Sequence, residues 1–289
     1  MFYADYHTHS SFSSDSDTPM EENIKKAISL SLKEIAATDH IDFDYPDPDY
    51  PFLFDYEPYS KEIDRLREKY GDKIKILKGV EIGIQNHVMP QIKELVKNNQ
   101  YDFIIGSTHV VQDGLDLCVN DFFEGKEQQQ AYEEYFEEVL YNVEHYDFFN
   151  VYGHIDFVNR YGNYQNKQID YARMAPITDK IFKTLIEKEK GIEINTSGFR
   201  YGVGGPHPAF ELIKRYHDLG GKIITVGSDT HKPEQMTYKF DIAYKMLKEA
   251  GFEYITVFDN KTPSFVKAFW GGIKWEEETA KCIMTLGYM

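Results

Sequence analysis

The first ten residues, MFYADYHTHS, set His7 and His9 two positions apart at the end of an apolar run. On a strand, positions i and i+2 face the same side. The two imidazoles are therefore placed to share a metal ion, a phosphate or a polar patch. Similar residues recur at the ends of later strand-like runs: Asp39 and His40, Glu81, His109, His154 with Asp156 close behind, and Asp229 with His231. Taken singly, each fits a hydrogen-bonded strand end or a capping carboxylate. Their repetition from run to run points instead to a metal centre. Imidazole and carboxylate without thiolate suit zinc, manganese or iron, and argue against a closed cysteine site. The set exceeds what one ion needs, so two or three divalent ions are expected, and a carboxylate such as Glu81 can bridge two of them. His87, His145, His207 and His217 lie in helical or turn contexts and read as surface or packing residues.

These residues meet only if the chain brings its strand ends together. Eight β-like runs alternate with amphipathic helical stretches: FYADYH, EIAATDH, IKILKGVEI, YDFIIGSTH, FNVYGH, GIEINTS, KIITVGSDTH and YITVF. Strand followed by helix along the whole chain argues for parallel strands joined by crossover helices. Seven or eight such units favour a closed α/β barrel over the alternative, a doubly wound open sheet. In a barrel the C-terminal strand ends converge on one face, where active sites sit. Residues 1–289 read as one domain, without repeats, low-complexity tracts or a linker. Two long segments stand out: the aromatic, acidic stretch 41–59 and the stretch 110–125. Both have the length of lids or binding loops.

Composition narrows the function classes. The chain has 289 residues, 42% hydrophobic and 28% charged, with a formal net charge of −16. That charge disfavours an extended nucleic-acid surface but not a small phosphate, because metals and local arginines reverse the field inside a cleft. No apolar run is long enough for a transmembrane helix, and none resembles a signal peptide. Cys118 and Cys282 lie far apart and outside metal-like spacing, as expected of reduced thiols in a cytoplasmic protein.

The motifs HTH (7–9), TDH (38–40), GVE (79–81), STH (107–109), GHID (153–156) and SDTH (228–231) resemble, in order, those of the polymerase and histidinol phosphatase family. The resemblance implies a distorted barrel of about seven βα units with a trinuclear metal site. It implies that His7, His9, Glu81 and Asp229 hold one ion, and that Glu81, His109 and His154 hold a second. Asp15, His40 and His231 would hold a third, with Asp39 orienting a ligand. The long loop after the second strand and the stretch NTSGFRYG look most like the stand-alone histidinol-phosphate phosphatases of that family.

The chemistry then expected is hydrolysis of a phosphate monoester by metal-activated hydroxide, with Asp229 and His231 as the catalytic residues. Arg160 and Arg200 follow strand ends, and guanidinium suits bidentate phosphate contact. Asp42, Phe43 and Asp44 open the acidic, aromatic loop and suit the cationic, imidazole-bearing end of a small phosphorylated amino alcohol. The competing readings are a phosphotyrosine phosphatase or nucleotide hydrolase of the same family, and a non-enzymatic metal-binding regulatory module. Turnover of histidinol phosphate beside phosphotyrosine and nucleotides separates them.

Overall fold

A computed structural model describes residues 3–111 and 114–268; Cys282 lies outside the described residues. Seven strands form one parallel sheet in chain order: β1 (Ala4–Thr8), β2 (Glu34–Ala37), β3 (Lys75–Gly83), β4 (Phe103–Ser107), β5 (Val151–Tyr152), β6 (Gly191–Asn195) and β7 (Ile224–Gly227). The ring nearly closes between β1 and β7. An isolated parallel bridge joins Thr8 to Thr230. The His9 N–H donates to the Thr230 carbonyl at 2.7 Å, and the Ser228 N–H donates to the buried Asp5 carboxylate at 2.9 Å.

The crossovers are α1 (Met20–Ser29), α2 (Tyr56–Tyr70), α3 (Met89–Asn98), α4 (Gln128–His145), α5 (Tyr171–Glu187), α6 (Phe210–Asp218) and α7 (Phe240–Ala250). Each carries an apolar stripe at helical spacing. In α5, Met174, Thr178, Ile181, Phe182 and Leu185 are buried, and the Asp170 side chain caps the first turn by accepting the Arg173 N–H. The strands are buried on both faces, as parallel strands between helices must be. On β3, Ile76, Val80 and Ile82 join the main apolar cluster with the helices, whereas Leu77 belongs to a second cluster with Tyr6, Phe103, Ile105 and Val151. By alternation Glu81 shares the phase of Leu77, toward the barrel interior.

The seven βα units and the convergence of strand ends match the sequence expectation. The eighth β-like run does not extend the barrel. It forms β8 (Tyr254–Asp259), paired antiparallel with β9 (Thr262–Lys267). Val257 and Phe258 of this hairpin pack into the interior cluster. The Phe258 ring meets that of Phe103 at 5.0 Å, tilted by 42°, and the Phe258 N–H donates to the Tyr6 hydroxyl at 2.8 Å. The hairpin thus fills the barrel at the end opposite the histidines.

The long segments are partly ordered by their own pairing. Residues from Tyr56 belong to α2, and His40–Ile41 form a short parallel ladder beside Glu81–Ile82. Val110–Val111 pair antiparallel with Leu115–Asp116. Cys118 is exposed and in no disulfide. Among the described residues no helix is long and apolar enough to cross a membrane.

Candidate metal centre

The C-terminal strand ends deliver the sequence-predicted ligands to one place. The pairing of β1 with β2 slips between Asp5 and Thr8, so the consecutive residues Tyr6 and His7 both reach the interior. Tyr6 goes to the apolar cluster and His7 to the polar one. Glu81, from the end of β3, lies at the centre. Its Oε2 is 3.1 Å from His7 Nε2, 3.6 Å from His9 Nε2 and 3.1 Å from His40 Nδ1. Its Oε1 is 3.3 Å from His109 Nε2 and 2.8 Å from His154 Nε2, and also accepts the Ser107 hydroxyl at 2.7 Å. One carboxylate therefore faces five imidazoles.

Asp229 closes the opposite side, 3.3 Å from His9 Nε2 and 3.5 Å from His231 Nδ1. Asp15 reaches in from the rim, 2.8 Å from His231 Nε2 and 3.7 Å from His40 Nε2. The backbone at His154 (φ 21°) and Asp229 (φ 54°) lies in the left-handed region. A non-glycine residue held there is a local cost carried by the surrounding fold.

Four trios bring one ligand atom each within 4.8 Å of one another: His7–His9–Asp229, Glu81–His109–His154, His9–His40–His231 and His40–Asp42–His109. The first two fall within the sets implied by the resemblance. The third differs in holding His9 where the resemblance places Asp15. The fourth brings in Asp42. Its carboxylate is buried, accepts the His109 Nδ1–H at 2.8 Å and lies 3.5 Å from His40 Nδ1. Gly83 makes room for it, because a Cβ there would lie 1.7 Å from Asp42 Oδ1. Phe43 and Asp44 turn away from the cluster. Phe43 lines an outer groove with Leu53, Phe54 and Leu95, and Asp44 pairs with His87 at 2.8 Å on the surface.

Proton affinities follow from this crowding. Burial alone would depress His7, but Glu193, Glu81 and Asp229 overcome it and hold its imidazole well above the usual range. Burial would raise Glu81 and Asp229, yet the surrounding imidazoles hold both well below it. Burial and the neighbouring imidazoles His40 and His231 drive His9 down to about 3. Burial opposes protonation of His40, but Glu81 and Asp15 raise it to about 9. Protons here do part of what cations do.

The fit of the residues to metal ions has a direct mark. Buried polar atoms without hydrogen-bond partners are rare in folded proteins. Here His9 Nε2, His40 Nδ1 and Asp42 Oδ2, all facing this cluster, are such atoms. Hard and borderline cations satisfy N and O donors of this kind. Arg160 Nε beside them is a further unpartnered atom, but as an N–H donor it suits an anion.

Sequence reasoning passed over Glu193. It sits on β6, is buried and accepts the His7 Nδ1–H at 2.6 Å. That bond fixes the tautomer that leaves Nε2 of His7 facing Glu81. Gly227 opposite it is required, since a Cβ there would lie 2.3 Å from Glu193 Oε1 and 2.4 Å from His7 Cβ. The signal appears only once both faces of the strand are known to be buried: a carboxylate midway along such a strand needs a partner. Glu193→Gln is expected to weaken metal binding about tenfold, read by competition with a chromophoric chelator. Unchanged affinity would assign the Glu193–His7 pair to barrel packing alone. His207, read from sequence as a packing or turn residue, is fully buried with its Nδ1 2.7 Å from Asp156.

The two arginines differ in placement. Arg160 is buried, donates to the Ser197 hydroxyl at 2.6 Å and lies 3.9 Å from Asp229 Oδ2. Its guanidinium is sandwiched between Phe157 (4.5 Å) and Tyr201 (3.9 Å). Arg200 donates to the carbonyls of Ser228 and Asp229, both at 2.7 Å. It braces the turn that carries Asp229.

Residues 5–197 match the PHP domain family. A histidinol-phosphatase of Lactococcus lactis is 35% identical over 259 residues, covering 88% of this chain and 93% of that protein. A probable histidinol-phosphatase of Clostridium acetobutylicum is 31% identical, covering 86% and 94%. Among solved structures, histidinol phosphate phosphatase of Lactococcus lactis, complexed with zinc, L-histidinol and phosphate, superposes with a TM-score of 0.84 at 32% identity, covering 90% of this chain and 98% of that one.

Proposed function

This chain belongs to the PHP domain family, and from that premise we propose that it is a metal-dependent histidinol-phosphatase. It is a phosphoric monoester hydrolase, and L-histidinol phosphate of histidine biosynthesis is its substrate. The observation that carries this reading is Glu81, one buried carboxylate facing five imidazoles, with the Arg160 guanidinium at the edge of the same cluster. The relatives named histidinol-phosphatase, and the zinc, histidinol and phosphate bound by one of them, support the choice of substrate.

Two or three divalent ions, zinc, manganese or iron, suit the donor set. His7, His9, Glu81 and Asp229 form one group. Glu81, His109 and His154 form a second, and His40 and His231 with Asp15 at the rim form a third. Such ions supply Lewis acidity, lowering the pKa of water and neutralising phosphate charge. The chain's own residues do the rest. Glu193 and Asp42 fix the tautomers of His7 and His109. Arg160 meets the phosphate with donors held flat between two rings. Ser197 and Asn195 hold Asp229 Oδ2 in place, at 3.0 and 3.3 Å. Arg200 holds the Asp229 backbone, so it serves the phosphate through the ligand rather than by contact.

Steady-state kinetics with protein of defined metal content test the reading. L-Histidinol phosphate is expected to have a kcat/KM at least about tenfold above phosphotyrosine and nucleoside monophosphates, the discrimination that one well-placed charged contact supplies. Equal or higher values for the other esters would move the protein elsewhere within the family. Absence of turnover on every ester, with metals bound, would make it a metal-binding module.

A further inference from the structure

Nine carboxylates are buried among the described residues, and eight of them are well compensated. Asp42, Glu81, Asp156, Glu193 and Asp229 face imidazoles, and Glu34 has Lys75 at 3.8 Å. Asp5 and Asp39 are in no ion pair but accept at least three hydrogen bonds each, from Ser228 and Thr237 and from Ser10 and Ser13 respectively. Asp116 is the exception. It is 5% exposed, is in no ion pair among the described residues, and accepts two bonds, from the Tyr45 hydroxyl at 2.8 Å and the Cys118 N–H at 2.7 Å. An uncompensated buried carboxylate is costly. Such a carboxylate suits a cation that arrives from outside.

Its position says which one. Asp116 pairs with Val110 in the short ladder, and the Leu117 N–H donates to the carbonyl of His109, a candidate ligand. The segment that carries Asp116 is therefore tied through its backbone to the residue beside the candidate metal centre. Contacts run from the carboxylate in two directions. On one side the Tyr45 ring meets Phe52 at 4.7 Å, and Phe52 meets His40 at 4.7 Å. On the other, Cys118 Sγ donates to the Tyr161 hydroxyl at 3.2 Å, Tyr161 meets Phe157 at 5.2 Å, and Phe157 carries Arg160. The Asp116 carboxylate and the Arg160 guanidinium are thus linked through Cys118 and two aromatic rings at the edge of the candidate metal centre. Burial pushes the Tyr45 hydroxyl well above the usual range, which keeps it a donor and the Asp116 oxygen an acceptor.

We propose that Asp116 is a specificity-determining residue that pairs with the protonated amine of the alcohol portion while Arg160 takes the phosphate. This rests on the histidinol-phosphatase reading and replaces Asp42 and Asp44 as readers of the amine. Asp42 is engaged with His109 and Asp44 with His87.

The test compares L-histidinol phosphate with its des-amino analogue, 3-(imidazol-4-yl)propyl phosphate, in wild type and in Asp116→Asn. Metal content and circular dichroism serve as controls. The amide keeps the size of the side chain and removes its charge. A charged hydrogen bond lost from one substrate alone lowers kcat/KM for L-histidinol phosphate about 10- to 30-fold and leaves the analogue within about twofold. Inhibition by L-histidinol weakens in parallel, while inhibition by inorganic phosphate does not. Equal losses on both substrates, or none on either, overturn the assignment and leave the function intact. A wild type that cleaves other monoesters but not L-histidinol phosphate overturns the functional reading itself. If Asp116→Asn does not accumulate folded, Tyr45→Phe carries the same comparison. It removes one donor that aims the carboxylate, and about a threefold selective loss is expected. Equal losses there also overturn the proposal.

Discussion

Replacing Glu81 by alanine is expected to lower kcat/KM by about three orders of magnitude or more, the scale of losing a principal electrostatic element from an active site. Glu81 is the one carboxylate that faces five imidazoles from four different strand ends. Both its oxygens are used, Oε2 toward His7, His9 and His40, and Oε1 toward His109 and His154. Its loss would remove the ligand proposed to be shared and leave five imidazoles facing one another without that carboxylate. Metal content should fall with it, measured by elemental analysis of the purified variant. Glu81→Gln should fare little better, because a neutral amide keeps the shape and loses the charge that two cations would share. Treatment of wild type with a chelator should abolish activity, and added divalent metal should restore it. Active wild type with at most one ion per chain would end the multinuclear account, and near-normal activity in Glu81→Ala would remove Glu81 from the centre.

Arg160→Ala is expected to cost about two decades in kcat/KM with metal content preserved. The guanidinium is buried, and its planar face is clamped between Phe157 and Tyr201. Its orientation is therefore set before a phosphate arrives, and little side-chain entropy is lost on binding. A charge-assisted bond of this kind is worth roughly 1.5–3 kcal/mol, or about one to two decades, and preorganisation favours the upper end. Arg160→Lys should recover little, since an ammonium neither stacks on the rings nor offers a forked pair of donors. Arg200→Ala provides the contrast. Two of its donors are spent on the carbonyls of Ser228 and Asp229, so its loss should register as weaker metal retention. Unchanged kinetics in Arg160→Ala would place that side chain outside the phosphate contact.

The barrel was legible because its signals are local and repeated. Each helix carries a 3.6-residue stripe, each strand a short apolar run, and six of the seven barrel strand ends a histidine or carboxylate. YITVF carries the same local signal as the barrel strands, and only the following residues, TPSFVK, turn it into a hairpin. Within the site, the residues at strand ends were readable and those acting behind them were not. Glu193 is hidden because GIEIN has the alternation of an ordinary half-exposed strand, and only burial of both faces turns that glutamate into a partner for His7. Asp42, Phe43 and Asp44 form one run in sequence, yet the chain sends them to His109, to an outer groove and to His87 in turn. A loop's composition gives the chemistry available, whereas the direction of each side chain depends on contacts made far along the chain. Asp116 shows the same limit, since its meaning lies in the cation it lacks.

The hairpin of β8 and β9 also bears on the order in which the molecule can be assembled. β1 must wait for β7, more than 200 residues later, before the ring can close, and the interior cluster around Tyr6 and Phe103 must wait longer still for Phe258. Contacts of such sequence separation slow folding, because the loop they close carries its entropy cost before any contact rewards it. A ribosome adding about 5–20 residues per second holds the first six strands for seconds without their seal. During that interval the early strand ends, with His7, His9 and Glu81 among them, are present without Asp229 and His231. A nascent chain of this kind has seven of the nine candidate ligands and an open apolar cup. Its dependence on chaperones and its exposure to stray metal are therefore expected to be greatest just before the last forty-five described residues emerge.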